Sequence, residues 1–315
     1  MIKRLLKTII IAVLLVLLFY MIISNIAFFQ GSGGAYNEKV IIDTDSGNDI
    51  DDLFAVVRAL TEPDMKIIGL ISSHWNFHEQ ASDSSVLISQ EINEKILTIL
   101  NLTNIAHPTG ASEMVRFPGN PVPQPSDGAK FIIDNAYGLP SGEKLKVITL
   151  GATTNLASAI LMDSSIIPKL DCYILGLQYD YIRRTWNKNE FNTRCDLDAM
   201  DIILNTKNLD VTVMTSTVSK DLIFRQEETF DRLRNKGDIW NWLLENWTEK
   251  YRDQSEWIMQ DVALIEAILH PKFATVKELN TPPENTQRKI KVYTKIKTEA
   301  MIKDYWKAVE RAAGY

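Results

Sequence analysis

From residue 39 onward this chain alternates short β-branched runs with amphipathic helical stretches, and that alternation leaves few folds open. Parallel strands need a long crossover between them, so strand–helix–strand repeats point to a largely parallel sheet. Strands are predicted at residues 39–43, 66–72, 145–150, 171–175, 210–214 and 289–293. Helices are predicted at 52–60, 79–100, 130–136, 155–162, 198–204, 227–235, 239–251, 262–269 and 299–312. The stretch 118–125 carries Pro118, Gly119, Pro121, Pro123 and Pro125 and is read as irregular. The expectation is one α/β domain, residues 39–315, with a Rossmann-like central sheet flanked by helices. Right-handed crossovers put successive strand-to-helix loops at one sheet edge, so polar residues in those loops converge.

The first such loop, Asp43-Thr44-Asp45-Ser46-Gly47-Asn48-Asp49-Ile50-Asp51-Asp52, is crowded with carboxylates. Such crowding is unfavourable without a cation, and oxygen-only ligands select a hard one, Ca²⁺ or Mg²⁺. Later strand ends add Ser72-Ser73-His74-Trp75-Asn76 and Leu150-Gly151-Ala152-Thr153-Thr154-Asn155. Glu190-Phe191-Asn192-Thr193-Arg194-Cys195-Asp196 and Met259-Gln260-Asp261-Val262 follow. Each piece alone has an ordinary explanation. Asp51 and Asp52 favour a helix N-terminus, Asn155 and Asp261 could be caps, and Glu190 and Asn192 could be solvated loop residues. Their order after successive strands makes the case for a metal-dependent site.

Together these segments resemble the nucleoside hydrolase family, of the inosine–uridine-preferring type, from Lys39 to at least Ala263. That family carries an Asp-x-Asp-Pro-Gly-x-Asp-Asp loop, an Ile-Thr-Thr-x-x-Gly-Asn-like strand end, a Leu-Gly-Pro-Leu-Thr-Asn turn, a Glu-Phe-Asn segment and a late His-Asp pair. The resemblance implies a nucleoside hydrolase-like fold and Ca²⁺-dependent cleavage of the N-glycosidic bond of a ribonucleoside or related N-riboside, giving ribose and a free base. It implies that Asp45, Asp52, Asp261 and the backbone carbonyl of Thr154 hold the Ca²⁺, with Asp45 also the general base. Asp51, Asn76, Glu190 and Asn192 would bind sugar hydroxyls, and Asp43 would support the loop from behind. Dimers or tetramers are implied by the same analogy.

Three positions depart from the family pattern. Ser46 replaces a proline, and Asn48-Asp49-Ile50 lengthens the loop by two residues, which makes Asp49 a candidate substitute ligand. Arg184 stands where an asparagine usually precedes Glu-Phe-Asn, with Asn187 a shifted candidate. Gln260 occupies the place of the histidine that helps the base leave. Glutamine can hydrogen-bond a base but cannot protonate it near neutral pH. Gln260 is therefore read as a substrate contact, and His74, His78, Tyr179 and Tyr181 as candidates for leaving-group activation.

Two rival readings share the first loop. A Mg²⁺-dependent phosphohydrolase of the haloacid dehalogenase type also places Asp-x-Asp after its first strand, but leaves Glu190 to Asn192 without a role. A non-catalytic domain could bind Ca²⁺ or a nucleoside alone. The net charge of −6, with no basic stripe beyond the N-terminus, argues against a nucleic-acid partner. Cys172 and Cys195 make neither a disulfide framework nor a zinc site and are read as buried thiols. At the N-terminus Lys3, Arg4 and Lys7 precede residues 9–29, which are apolar apart from Ser24 and Asn25. That is long enough to span a bilayer. The expectation is a cytoplasmic start (1–8), a transmembrane signal anchor (9–29), a linker (30–38) and an extracytoplasmic catalytic domain. Cleavage of the segment would make the protein secreted or periplasmic.

Overall fold

The computed structural model describes residues 38–76, 84–116 and 120–314. The main sheet is built from β1 (Val40–Thr44), β2 (Ile67–Ser72), β3 (Leu145–Thr149), β4 (Leu170–Leu175), β5 (Asp210–Met214), β6 (Ala274–Asn280) and β7 (Lys289–Ile296). Their order across the sheet is β6-β7-β5-β4-β3-β1-β2. Every neighbouring pair is parallel except β6 and β7. The helices are α1 (Ile50–Leu60), α2 (Ser85–Ile99), α3 (Asp127–Tyr137), α4 (Thr154–Met162) and α5 (Phe191–Cys195). They continue as α6 (Leu197–Asn205), α7 (Gln226–Leu233), α8 (Asp238–Tyr251), α9 (Gln260–Leu269) and α10 (Thr298–Arg311), with a single turn at Ser216–Ser219.

Helices cover both faces of the sheet, which explains why β1 reads as an unbroken apolar run. Val40 and Ile42 enter one core with Leu53, Phe54 and Leu264, while Ile41 enters the other with Ala129, Ile132 and Leu156. The pairing of Asp43 with Ile71 and Thr149 aligns the exits of β1, β2 and β3, so their loops share one edge.

All six predicted strands and all nine predicted helices are present, with ends shifted by a few residues. Residues 79–83 of one predicted helix lie outside the described residues. The edge strand β6 was not foreseen, because its mostly exposed side chains show no apolar alternation. Two small two-stranded sheets, Gln178–Asp180 with Thr185–Asn187 and Ile223–Arg225 with Glu256–Ile258, have strands too short to carry a period.

One reading is corrected. Residues 9–29 lie outside the described residues, and among the described residues no helix is long and apolar enough to cross a membrane. The longest, α2, has 15 residues, whereas a span needs about 20. The assignment as a single-pass membrane protein with an extracytoplasmic domain, and the membrane as a partner, are withdrawn.

At the far ends of α1 and α9 lies a buried ionic cluster. Arg58 on α1 pairs with Glu62 at 2.7 Å, with Glu266 on α9 at 2.8 Å and with Asp304 on α10 at 3.2 Å. The two helices it ties together carry Asp51, Asp52 and Asp261 in their first turns.

Candidate active site

The loop after β1 is fixed by contacts that account for its unusual sequence. The Asn48 amide donates to the Asp45 carbonyl at 2.8 Å and closes the turn. Ser46, standing where the family pattern has proline, is buried and donates to Asn93 Oδ1 on α2 at 2.7 Å. Gly47 admits the Trp75 ring, which an added Cβ would meet at 2.4 Å. The two extra residues are absorbed at the helix start. Asp49 is the N-cap of α1, accepting from the Ile50 amide at 3.2 Å, and Ile50 is a fully buried plug.

Beyond the cap, the acids draw together. The ligand atoms of Asp51, Asp52 and Asp261 lie within 4.8 Å of one another, and Asp45 and Asp261 both interact with the Asp52 side chain. Thr44 Oγ1 donates to Asp52 Oδ1 at 2.6 Å. Asp51 Oδ2 accepts from the amides of Gln260 at 3.1 Å and Asp261 at 3.4 Å, so one helix's acid caps the next helix's N-terminus. Among the described residues, Asp45 Oδ2 and Asp261 Oδ1 are buried with no hydrogen-bond partner.

Burial pushes these carboxyls toward their neutral forms. It holds Asp45 and Asp261 well above the ordinary range, with repulsion from Asp52 adding to both. It does the same to Asp51, helped by Asp49, and carries Asp52 to about 7 despite the Thr44 bond. Asp43 is raised to about 8 by burial, opposed by its bond from Asn155. Buried carboxylates of this kind become charged only when a cation compensates them.

A second layer of contacts holds the site in place. Asn155 Nδ2 donates to Asp43 Oδ1 at 2.9 Å and to the Ser72 carbonyl at 3.2 Å. Its Oδ1 accepts from the Ala111 amide and the Ser126 hydroxyl. The sequence suggested only a cap for this residue; here, from the first turn of α4, it joins the ends of β1 and β2 to the connection between α2 and α3. Thr154 is buried in the first turn of α4, and its hydroxyl donates to Asp196 Oδ2 at 2.7 Å. His74 Nε2 lies 2.8 Å from the same hydroxyl, and His74 Nδ1 accepts from the Asn76 amide. That pattern describes a neutral imidazole, and burial lowers its pKa to about 4. Asp196 had drawn no role from sequence: it caps α6 through the Ala199 amide, and its other partners lie 42 and 81 residues away.

The remaining sugar-site candidates divide. Glu190 caps α5: Oε2 accepts from the Thr193 amide at 2.9 Å and from Leu177 N at 3.2 Å, while Oε1 accepts from Asn192 N at 3.1 Å. Asn192 Nδ2 donates to the Leu150 and Leu175 carbonyls, bridging the ends of β3 and β4. Asn76 donates its amide to the Ser112 carbonyl and accepts from the Ser85 hydroxyl. Gln260 Oε1 accepts from Ser219 at 3.0 Å.

Beside the acid loop opens a cleft of about 730 Å³ lined by Gly47, Asn48, Asp49, Trp75, Phe191, Lys250 and Tyr251. Of the residues considered for leaving-group activation, none described lines it. His74 is buried, Tyr181 donates to the Tyr293 carbonyl at 2.9 Å, and Tyr179 packs on Tyr181 and Trp186. His78 lies outside the described residues.

The model of the inosine-uridine preferring nucleoside hydrolase family matches residues 40–311. The chain belongs to that family. As a nucleoside hydrolase it is an N-glycosyl hydrolase, and the phosphohydrolase and purely binding readings fall away. A probable uridine nucleosidase 2 of Oryza sativa subsp. japonica is 24% identical over 265 residues, covering 76% of this chain and 77% of that protein. Uridine nucleosidase 1 of Arabidopsis thaliana is 25% identical over 264 residues, covering 77% of each. Among solved structures, an inosine-guanosine nucleoside hydrolase superposes with a TM-score of 0.69 at 18% identity, covering 87% of this chain and 98% of that one. A plant nucleoside hydrolase gives 0.67 at 17% identity, covering 86% and 98%. The nucleoside hydrolase fold therefore extends across the described domain. This family uses a metal ion, and the acidic cluster of this member offers an oxygen-only donor set suited to one.

Proposed function

We propose that this nucleoside hydrolase cleaves a ribonucleoside or related N-riboside with Ca²⁺ as cofactor, releasing ribose and a free base. The observation that carries the reading is the pair of unpartnered buried oxygens, Asp45 Oδ2 and Asp261 Oδ1, on two acids that both interact with Asp52. Asp45, Asp52, Asp261 and the Thr154 carbonyl would hold the ion, with Asp51 near enough to join them. A bound Ca²⁺ would supply a fixed positive charge that keeps these acids ionised, orders sugar hydroxyls and acidifies a water. By family analogy the working unit would be a dimer or tetramer.

The chain's own residues divide the remaining work. Asp45 would take the proton of the attacking water. The surrounding carboxylates would stabilise the oxocarbenium-like sugar as positive charge develops on it. Glu190 and Asn192 would fix the sugar hydroxyls, and Trp75 and Phe191 would form walls that exclude water and meet the base. The uridine nucleosidase relatives make uridine the first substrate to try.

Replacing Asp45 with Asn tests the assignment. With Ca²⁺ at saturation, turnover of uridine is expected to fall by about 10³-fold or more, the scale of a lost general base, while uridine binding changes far less. Turnover that survives the change removes Asp45 as the base.

A further inference from the structure

We propose that Lys250 is the residue that activates the departing base, a role that rests on the hydrolase reading above. Gln260, at the usual position for this task, has no proton to give, and its side-chain oxygen already accepts from Ser219. Lys250 is the only cationic side chain among the described residues lining the cleft. It sits in the last turn of α8, and its Nζ donates to the Gly47 carbonyl of the acid loop at 3.0 Å. The next residue, Tyr251, donates to the Asn48 carbonyl at 3.4 Å, so the end of α8 rests on the loop. Trp75 and Phe191, the aromatic walls suited to a base, line the same cleft.

The plain alternative is that Lys250 favours a helix C-terminus and ties α8 to the loop. Two features favour the chemical role. The bond to Gly47 comes from a flexible four-carbon stem, so the ammonium can turn to a ligand without disturbing the helix. Partial desolvation at the cleft wall also pushes the pKa of this still exposed side chain below the ordinary lysine value, opposed by the charges of Asp49 and Asp52, which suits a group that gives up a proton.

The step balances. The C1′–N bond breaks and its electron pair moves to the base. Lys250 Nζ–H donates to the base oxygen or ring nitrogen where that charge collects, and its proton passes to the base. Water oxygen bonds to C1′ and gives its proton to Asp45. One nucleoside and one water become ribose and a neutral base; Asp45 then releases a proton to solvent and Lys250 takes one up.

The test compares two substrates on the full chain with Ca²⁺ present: uridine, and 4-nitrophenyl β-ribofuranoside, whose leaving group departs as a stable anion without help. Lys250→Met is expected to lower kcat on uridine by about 10²–10³-fold, the range of one lost donor or acid. On the nitrophenyl riboside the same variant should stay within about fivefold of wild type, which also shows that it folds. Lys250→Arg, which keeps the charge, should hold more uridine activity than Lys250→Met. Parallel losses on both substrates would reduce Lys250 to a loop tie, and no loss on uridine would dismiss it altogether. A wild-type chain inactive on both would overturn the hydrolase reading itself, and Lys250's role with it.

Discussion

Replacing Gly151 with alanine places a methyl group against Asp45 without removing any functional atom. The added Cβ would lie 2.6 Å from Asp45 Oδ1, 2.9 Å from its Cγ and 3.0 Å from its Cβ. Ordinary contacts begin near 3.4 Å, so the carboxylate must retreat by roughly 0.8 Å. The backbone has little slack, because the Leu150 amide donates to the Asp43 carbonyl and the Asn48 amide to the Asp45 carbonyl, both at 2.8 Å. A misplacement near 1 Å at a reacting group costs about 10²-fold in rate, and overpacking itself costs about 1–3 kcal/mol. The variant should therefore fold with reduced stability, lose roughly 30- to 100-fold in kcat and bind Ca²⁺ more weakly. Steady-state uridine hydrolysis across a Ca²⁺ titration, beside urea unfolding, separates these effects. Unchanged kcat and Ca²⁺ affinity would refute the placement of Asp45 against Gly151 at the centre of the chemistry.

Three other outcomes follow from the same geometry. Asn155→Ala strips Asp43 of its bonding partner and leaves buried groups at the end of β2 and in the connection between α2 and α3 short of a partner, so urea unfolding should show a loss of about 3 kcal/mol; a change under 1 kcal/mol would contradict the buried network. Arg58→Met leaves Glu266 buried without its cation, while Glu62 keeps only Arg311, and should cost about 3–5 kcal/mol, partly recovered by adding Glu266→Gln. Stability should also depend on pH more steeply without Ca²⁺ than with it. Asp43 and Asp52 rise from 3.8 to about 8 and about 7, so between pH 4 and 8 the native state holds protons that the unfolded chain has lost. In excess chelator, stability should then fall as pH rises through that window, by about 1.4 kcal/mol per pH unit for each such proton. Ca²⁺ holds the acids ionised and should flatten the slope; equal slopes in both conditions would argue against a cation among them.

What the sequence showed and what it concealed separate along physical lines. The βα alternation and the acid loop were legible because strand and helix periods are local, and because five aspartates in one loop have few explanations. The grouping of Asp52 with Asp261 was implied by the family resemblance, and the two acids do lie together. Other pairings depend on distances that no local pattern encodes. Asp51 reads as an acid beside a helix start, yet its partners are backbone amides 209 and 210 residues away. His74 reads as a candidate acid, yet burial and Thr154 make it neutral and structural. Asn155 offered only a weak cap signal, while the fold makes it the junction of two strand ends and a loop. Lys250, in the last turn of an ordinary helix, gives no hint of the cleft it enters.

The central claim is that a divalent cation held by these aspartates is required to break an N-glycosidic bond. The most direct measurement is ribose release from uridine by the full chain after exhaustive chelation, and again after Ca²⁺ is restored. The account predicts that release stops in the chelated protein and returns with Ca²⁺, and that Asp261→Asn does not recover at the same concentration. Steady release from the chelated wild-type chain would contradict it.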